Sequence, residues 1–237
     1  MAGVVERVGF DVEELAPGDE GFGYIRKDTI QFGANAEHVS AHVRMVARRP
    51  AGLSWEQAAG VPLAGLTACQ PIKRVAVRAG ETVLVHAAAG GVGSLGVQTA
   101  VALGARVIGT AAARNHDFVR KLGAEPVTYG PGLGDRVARL APEGIDAALV
   151  FVGADAVDTS PRLLGRPDGL ASIAAPEAAE QGPARHSPPG PGDGRPGLPW
   201  GYTGSGPGAL ATLIGRLVDR LPPGRRSRPC PHLWRQG

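Results

Sequence analysis

The clearest pattern of apolar and polar positions lies between residues 81 and 174, where short apolar runs alternate with longer amphipathic segments. Residues 82–85 are apolar and rich in β-branched side chains, as expected of a strand buried in a parallel sheet. Further strands are predicted at 106–109, 126–129, 145–152 and about 170–174, and helices at 94–103, 115–122 and 133–140. Such alternation predicts a parallel sheet with right-handed crossovers.

Residues 1–50 show a different pattern, of short strands broken by turns. Residues 2–8 form a β-rich run, and residues 38–43 approach the alternation of a strand. Ser54 followed by Gln57 is a capping-box pattern and predicts a helix that begins at Trp55. The apolar segment 62–77 is also predicted to be helical, with Pro71 kinking or dividing it.

The periodic pattern stops after Gly182. Residues 183–208 are dense in Pro and Gly and are not expected to form regular structure, although one amphipathic helix is predicted around residues 210–218. The expected organisation is a partial β-rich domain over residues 1–61, an α/β domain over 62–182, and a Pro/Gly/Arg-rich tail over 183–237.

Composition narrows the class of protein. Hydrophobic residues make up 43% of the chain but aromatic residues only 5%, so the core must consist largely of Ala, Val and Leu. The net charge of +3 is small and gives little support to nucleic-acid binding. No apolar run approaches the ~20 residues needed to span a bilayer, and no secretory signal is visible, so a cytoplasmic protein is expected.

A glycine-rich turn at residues 88–93 lies between the first strand and the first helix of the alternating region. In a dinucleotide-binding turn, Gly90 would let the backbone approach a pyrophosphate, and Gly93 would let the helix pack closely on the strand. Ala88 stands where the usual motif has its first glycine. The alternative is a tight turn without a ligand; the strand–turn–helix context favours a cofactor.

The residues that follow the second strand indicate which cofactor is bound. Residues 109–112 carry no carboxylate to bind the ribose hydroxyls of NAD. Arg114 follows, and a guanidinium there can bind a 2′-phosphate, with Tyr129 adding a hydroxyl contact. The alternative for Arg114 is an exposed residue at a helix start. NADPH is the predicted cofactor.

Several motifs in sequence order resemble the zinc-independent quinone oxidoreductases, a branch of the medium-chain dehydrogenase/reductase superfamily. Residues 83–93 are similar to that branch's cofactor motif, and 62–68 to the segment leading into its nucleotide domain. Residues 2–5, 17–19 and 33–39 resemble later strands of its GroES-like catalytic domain. The implied fold is α/β, a Rossmann-type parallel sheet with a partial GroES-like β domain.

The resemblance also implies roles for residues and a reaction. The reaction is hydride transfer from NADPH to a quinone or an activated alkene or carbonyl, and no residue stands out as a general acid. Thr67 matches a threonine near the nicotinamide, and Val152 and Gly153 match the end of the strand that passes under the cofactor. The cofactor-binding residues implied by the match are Thr67, Ala88, Gly90, Gly91, Val92, Gly93, Arg114, Tyr129, Val152 and Gly153.

Structural roles are expected for Cys69, His38, His42 and His86. No metal site is expected, since zinc requires several Cys or His ligands at suitable spacing. Cys69 is expected in the core, and His86 is expected to be structural. His38 and His42 are expected to lie in a strand and to face solvent or pair locally.

The chain also departs from the family pattern at both ends. Family members begin well before the counterpart of Met1 and continue differently after Gly182, and a shifted reading frame in a GC-rich gene would produce such a tail. An NADPH-binding module without turnover and an enoyl-reductase-like unit therefore stay open as alternatives. Exposed strand edges lead us to expect a homodimer, with a small-molecule substrate and neither nucleic acid nor membrane as partner.

Overall fold

Two β-sheets and four α-helices form the described part of the chain, which in this computed structural model comprises residues 1–25, 33–152, 160–166 and 168–173. The helices are α1 (Trp55–Arg74), α2 (Gly91–Ala102), α3 (His116–Lys121) and α4 (Leu133–Leu140). The strands are β1 (Ala2–Val4), β2 (Glu20–Gly23), β3 (Val46–Arg48), β4 (Thr82–Val85), β5 (Arg106–Thr110), β6 (Glu125–Val127), β7 (Ala147–Val150) and β8 (Leu170–Ser172).

The larger sheet contains five strands in the order β6-β5-β4-β7-β8, all paired in parallel. At its centre Val83 lies between Val107 of β5 and Ala147 of β7. The predicted α/β fold with a Rossmann-type parallel sheet is confirmed, and the predictions for β4 and α4 match their observed bounds.

Successive residues of β4 face opposite sides of this sheet, and each side has its own apolar core. Val83 and Val85 pack in one cluster with Val97 of α2, whereas Leu84 packs in the other with Ile108 and other buried aliphatic residues. Aliphatic and alanine side chains make up both buried clusters, as the low aromatic content predicted.

The smaller sheet is antiparallel, in the order β1-β2-β3. Phe22 of β2 is buried against Leu53 and against Ala58 of α1, so this sheet packs on the first half of that helix. The predicted domain boundary at residues 61 and 62 falls inside α1, which also packs on α2; the division into domains stays a prediction.

Two local predictions need correction. Pro71 does not divide the helix: α1 runs unbroken over 20 residues through Pro62 and Pro71, both of which are buried. A proline removes one intrahelical hydrogen bond, and α1 packs on α2 and on the small sheet along its length. A kink at Pro71 stays a prediction. Residues 38–42 are not a strand; His42 instead caps a short 3-10 helix (Val43–Met45), and the strand follows at β3.

Other segments are shorter than predicted. Residues 5–8 and 33–39 lie outside any strand, β6 ends before Thr128, and β7 covers only 147–150. The capping box at Ser54 is present as predicted. The predicted tail over 183–237, including its helix, lies outside the described residues.

Candidate cofactor-binding site

The carboxyl ends of the parallel strands meet at one edge of the larger sheet, and the chain order reverses there. From β4 the sheet continues through β5 to β6 on one side and through β7 to β8 on the other. In open α/β sheets, ligands bind in the crevice at such a reversal. The glycine-rich turn 88–93 directly follows β4 and therefore lies at this point.

The turn after β4 is fastened to β5 by Thr110, a residue that the sequence analysis did not single out. The buried Thr110 hydroxyl accepts a hydrogen bond from the Ala87 N–H (3.1 Å), and the Thr110 carbonyl accepts one from the Ala88 N–H (2.9 Å). Ala87 has a φ of 54°, a conformation unfavourable for a residue with a Cβ. The two bonds from β5 hold the chain in this turn.

Gly93 is required by the packing of α2 against the turn. A Cβ at Gly93 would lie 2.7 Å from the carbonyl carbon of Ala87 and 3.1 Å from the Cα of Ala88. At Gly90 it would lie 3.2 Å from the Ala87 carbonyl oxygen, and at Gly91 it would meet nothing within 4 Å. Gly93 therefore serves helix packing, while Gly91 leaves open space in front of the helix.

Ala88 occupies the first glycine position of the motif without a clash, because Gly109 of the neighbouring strand has no side chain. A Cβ at Gly109 of β5 would lie 2.7 Å from the Cβ of Ala88. The Ala88 methyl group is fully buried in the space that Gly109 leaves. The departure from the usual motif is thus compensated within the sheet.

The N-terminus of α2 has the features of a phosphate-binding site. Gly90 is its N-cap and supplies no side-chain hydrogen bond, while Ser94 is bonded back to the Gly90 carbonyl. In a helix, the N–H groups of the first residues, here Gly91 to Gly93, have no partner one turn earlier. Exposed Gly90 and Gly91 place no side chain over these groups, so the turn fits the pyrophosphate of a dinucleotide.

Arg114 and Tyr129 follow the carboxyl ends of two neighbouring strands. β5 and β6 are paired in parallel, with Thr110 opposite Val127. Arg114 lies in a short 3-10 helix (Ala113–Asn115) after β5, is exposed, and forms no hydrogen bond or ion pair with any described residue. Tyr129 is also exposed. A free guanidinium and a phenol thus flank the edge at which the 2′-phosphate is predicted.

The remaining predicted site residues lie on two other elements. Thr67 is half-buried on α1, and its hydroxyl donates to the Leu63 carbonyl (2.8 Å), which leaves its oxygen free to accept. Val152 is exposed just after β7, and the ring of its neighbour Phe151 fills the space beside Gly96 of α2. Gly153 lies outside the described residues.

His86, at the end of β4, is buried beneath the turn. Its Nε2 forms a hydrogen bond with the Ser160 hydroxyl (2.9 Å). Burial lowers the pKa of the imidazole to about 4, so the ring is neutral at neutral pH. A buried neutral histidine with a hydroxyl partner has a structural role, as the sequence predicted. Ser160, its partner, was not anticipated.

Residues 1–25, 33–152, 160–166 and 168–173 contain no group of three or more His, Cys, Asp or Glu side chains able to hold a metal ion. Within the same ranges, none of the helices has the length and apolar character needed to cross a bilayer.

Cys69 is a buried free thiol whose pKa is raised by burial, in line with its predicted place in the core. His42 accepts a hydrogen bond from the Arg44 N–H, a local partner as predicted, whereas His38 pairs with the distant Glu6 (3.1 Å). Both histidines are exposed, and neither lies in a strand.

The chain is similar to a described protein family and to a quinone oxidoreductase of known structure. The family described as "Zinc-binding dehydrogenase" matches residues 91–188. The quinone oxidoreductase of Pseudomonas syringae pv. Tomato DC3000 has a similar structure: the TM-score is 0.72 at 30% identity, and the match covers 93% of this chain and 68% of that protein.

Two curated relatives match over shorter shares of their length. A spectinabilin polyketide synthase system protein of Streptomyces orinoci is 42% identical over 172 residues, which is 71% of this chain and 8% of the relative. The chloroplastic NADPH-dependent alkenal/one oxidoreductase of Arabidopsis thaliana is 38% identical over 131 residues, 53% of this chain and 34% of the relative. The chain therefore spans 8% and 34% of the length of these two relatives.

Proposed function

Because the chain belongs to the quinone oxidoreductase family of the medium-chain dehydrogenase/reductase superfamily, we propose that it binds NADPH and transfers a hydride to a quinone or to an activated alkene or carbonyl. The bound cofactor supplies the hydride. What the chain supplies is position: an anion site for the pyrophosphate, a cationic site for the 2′-phosphate, and a surface for the nicotinamide.

The observation that carries this proposal is the uncapped, glycine-lined N-terminus of α2 at the reversal of strand order. Gly93 brings the helix onto the turn, and Gly91 leaves the space in front of its first N–H groups open. Those groups and the positive end of the helix dipole favour a phosphate. The close approach of α2 at Gly93 distinguishes this turn from one that merely closes a loop, since it brings a helix N-terminus to the reversal of strand order.

The preference for NADPH over NADH is supported by Arg114. The residues between the end of β5 and Arg114 carry no carboxylate, and the guanidinium has no partner among the described residues. A 2′-phosphate would provide that partner through charge-assisted hydrogen bonds. Thr67 and Val152 are assigned to the nicotinamide side, where the Thr67 oxygen can accept a hydrogen bond.

The proposal is tested by titrating the purified chain calorimetrically with NADPH and with NADH. We expect NADPH to bind more tightly, and Arg114→Ala to weaken NADPH binding about 10-fold or more while leaving NADH binding nearly unchanged. Arg120→Ala is the matched control, because Arg120 is exposed on α3 and already paired with Asp117. Equal binding of the two cofactors to the unaltered chain would contradict the NADPH assignment.

Reduction of an enoyl thioester is a second candidate, favoured by the 42% identity with a polyketide synthase protein. In that reaction the hydride adds to the β-carbon and a proton to the α-carbon of the conjugated alkene. NADPH oxidation measured with a panel of quinones, enones and 2-enoyl thioesters separates the candidates. Turnover with the thioester alone would favour this second function; binding of NADPH without oxidation by any acceptor would indicate a cofactor-binding module.

A further inference from the structure

The loop between β6 and α4 is shaped by one side chain, that of Arg136 in the first turn of α4. Its guanidinium donates hydrogen bonds of 2.8–3.3 Å to four consecutive carbonyl oxygens, those of Thr128, Tyr129, Gly130 and Pro131. A guanidinium presents five donors in a rigid planar fork. Four bonds to one fork therefore orient four successive peptide groups together.

The same bonds set the direction of the loop's amide groups. No peptide bond in the described ranges is cis, and in a trans peptide unit the N–H points opposite to the C=O. The N–H groups of Tyr129 and Gly130 therefore point away from Arg136. Neither donates a hydrogen bond to another described residue, and neighbouring N–H groups in a turn form a concavity that binds anions.

The loop also contacts the start of α3, close in sequence to Arg114. The Thr128 hydroxyl lies 3.4 Å from Nε2 of His116, the first residue of α3 and two residues after Arg114. Because β5 and β6 are parallel neighbours, the loops that follow them share one edge of the sheet. Tyr129 and its amide group are thus placed on the loop adjacent to the one that holds Arg114.

We propose that Arg136 is a positioning residue for the 2′-phosphate subsite: it fixes loop 128–131 so that the Tyr129 phenol and the loop amides face the phosphate bound by Arg114. The inference rests on the proposed NADPH function. Arg136 acts through the loop and not by direct contact, since its donors are already directed at four carbonyl oxygens. Its contribution should appear in selectivity for the 2′-phosphate rather than in cofactor binding generally.

The experiment compares variants of Arg136, Arg139 and Tyr129 by calorimetric titration with NADPH and NADH, alongside thermal unfolding. Arg136→Ala removes the fork, and Arg136→Lys keeps the charge but not the planar set of donors. Arg139→Ala is the matched control: Arg139 is exposed on the same helix and has no hydrogen bond or ion pair within the described chain. Hydrogen exchange of the Leu133 amide, which donates to the Gly130 carbonyl (3.1 Å), follows the order of the loop without any cofactor.

We expect Arg136→Ala to weaken NADPH binding about 10-fold, the range of a lost charge-assisted contact, with less than about a 2-fold change for NADH. Hydrogen exchange of the Leu133 amide should accelerate in Arg136→Ala. Arg136→Lys should restore little of the NADPH affinity, and Arg139→Ala should behave as the unaltered chain. In a Tyr129→Ala background, Arg136→Ala should add less to the loss than it does alone, because the two residues act on one subsite.

Four results would overturn the inference. Equal weakening of both cofactors would assign Arg136 to general stability, and full restoration by lysine would assign it to charge alone. An unaltered chain that prefers NADPH, together with an Arg136→Ala variant that keeps the same preference, would remove only the role of Arg136. An unaltered chain without any preference would overturn the NADPH assignment and this role with it.

Discussion

The residues of the site have two main roles. Glycines leave space for neighbouring atoms, and hydroxyl groups form hydrogen bonds with buried polar groups. Gly93 and Gly109 leave room for the turn and for the Ala88 methyl group, respectively. Thr110 and Ser160 supply hydroxyl groups to partners that would otherwise be enclosed without a hydrogen bond. Both kinds of residue can be tested by changes of one or two atoms.

Replacement of Gly93 by Ala should destabilise the fold by about 1–3 kcal/mol, because the new methyl group overlaps the backbone at Ala87. NADPH binding should weaken as well, since α2 is pushed away from the turn. Gly91→Ala is the control: its methyl group meets no protein atom within 4 Å, so stability should change little while NADPH binding still falls. Urea unfolding and calorimetry measure the two effects, and unchanged NADPH affinity in Gly91→Ala would mean that no phosphate approaches Gly91.

Acid should destabilise the protein through His86. The pKa of this buried imidazole is lowered from 6.5 to about 4 in the fold, so the folded state favours the neutral ring. The contribution of His86 to stability is therefore complete above about pH 6.5 and is lost as the pH falls towards 4, by about 3 kcal/mol in all.

Urea unfolding between pH 7.5 and 4.5 measures this loss. His86→Gln, which is neutral throughout, should show a shallower fall in the free energy of unfolding than the unaltered chain. The exposed His42 provides the control variant His42→Gln, which should keep the original slope. Identical slopes for all three proteins would show that His86 does not remain neutral in the fold.

At the scale of elements, the site depends on how β4, α2 and β5 are joined. The turn leaves β4 with a strained Ala87 and enters α2 at Gly90, and Thr110 at the end of β5 bonds to both Ala87 and Ala88. A strand two elements later along the chain thus determines where the first turn of α2 lies. The loop between β6 and α4 is held differently, by Arg136 of the helix that follows it.

Thr110→Val should uncouple the turn from β5. The substitution keeps the shape of the side chain but leaves the Ala87 N–H without its side-chain partner, which costs about 1–3 kcal/mol for an enclosed donor. Thr110→Ser keeps the hydroxyl and should retain more of the stability and NADPH affinity. Urea unfolding measures the stability of the two variants, and calorimetry measures their NADPH affinity. Equal values for Thr110→Val and Thr110→Ser would contradict this role of Thr110.

At the scale of the whole molecule, α1 relates the two sheets to the site. Its first half packs on the small antiparallel sheet through Ala58, and its second half, including Ala68 and Cys69, is buried on the side of α2. Thr67 is carried on this second half. The helix that supports the small sheet therefore also presents the residue assigned to the nicotinamide.

The homodimer expected from the sequence remains a proposal at this scale. Among the described strands, β1 and β3 bound the small sheet, and β6 and β8 bound the large one. Unpaired strand edges favour association with another chain. Light scattering at working concentration should give the mass of a dimer, and a monomer mass across a tenfold range of concentration would contradict the proposal.

Local features of the chain were predictable from the sequence alone. The capping box at Ser54, the strand at 82–85, the glycine turn and the helix at 133–140 each depend on residues within one turn or one strand of each other. Their period, their capping residues and their glycines determine backbone conformation directly. The order of such elements was enough to predict the parallel α/β fold.

Contacts between distant residues were decided only by the tertiary structure. The bond from Ala87 to Thr110 spans 23 residues, and the bond from His86 to Ser160 spans 74. The continuity of α1 through Pro71 likewise depends on the surface that buries the proline ring. No periodicity along the chain encodes these pairings, because they exist only once the strand order has brought the elements together.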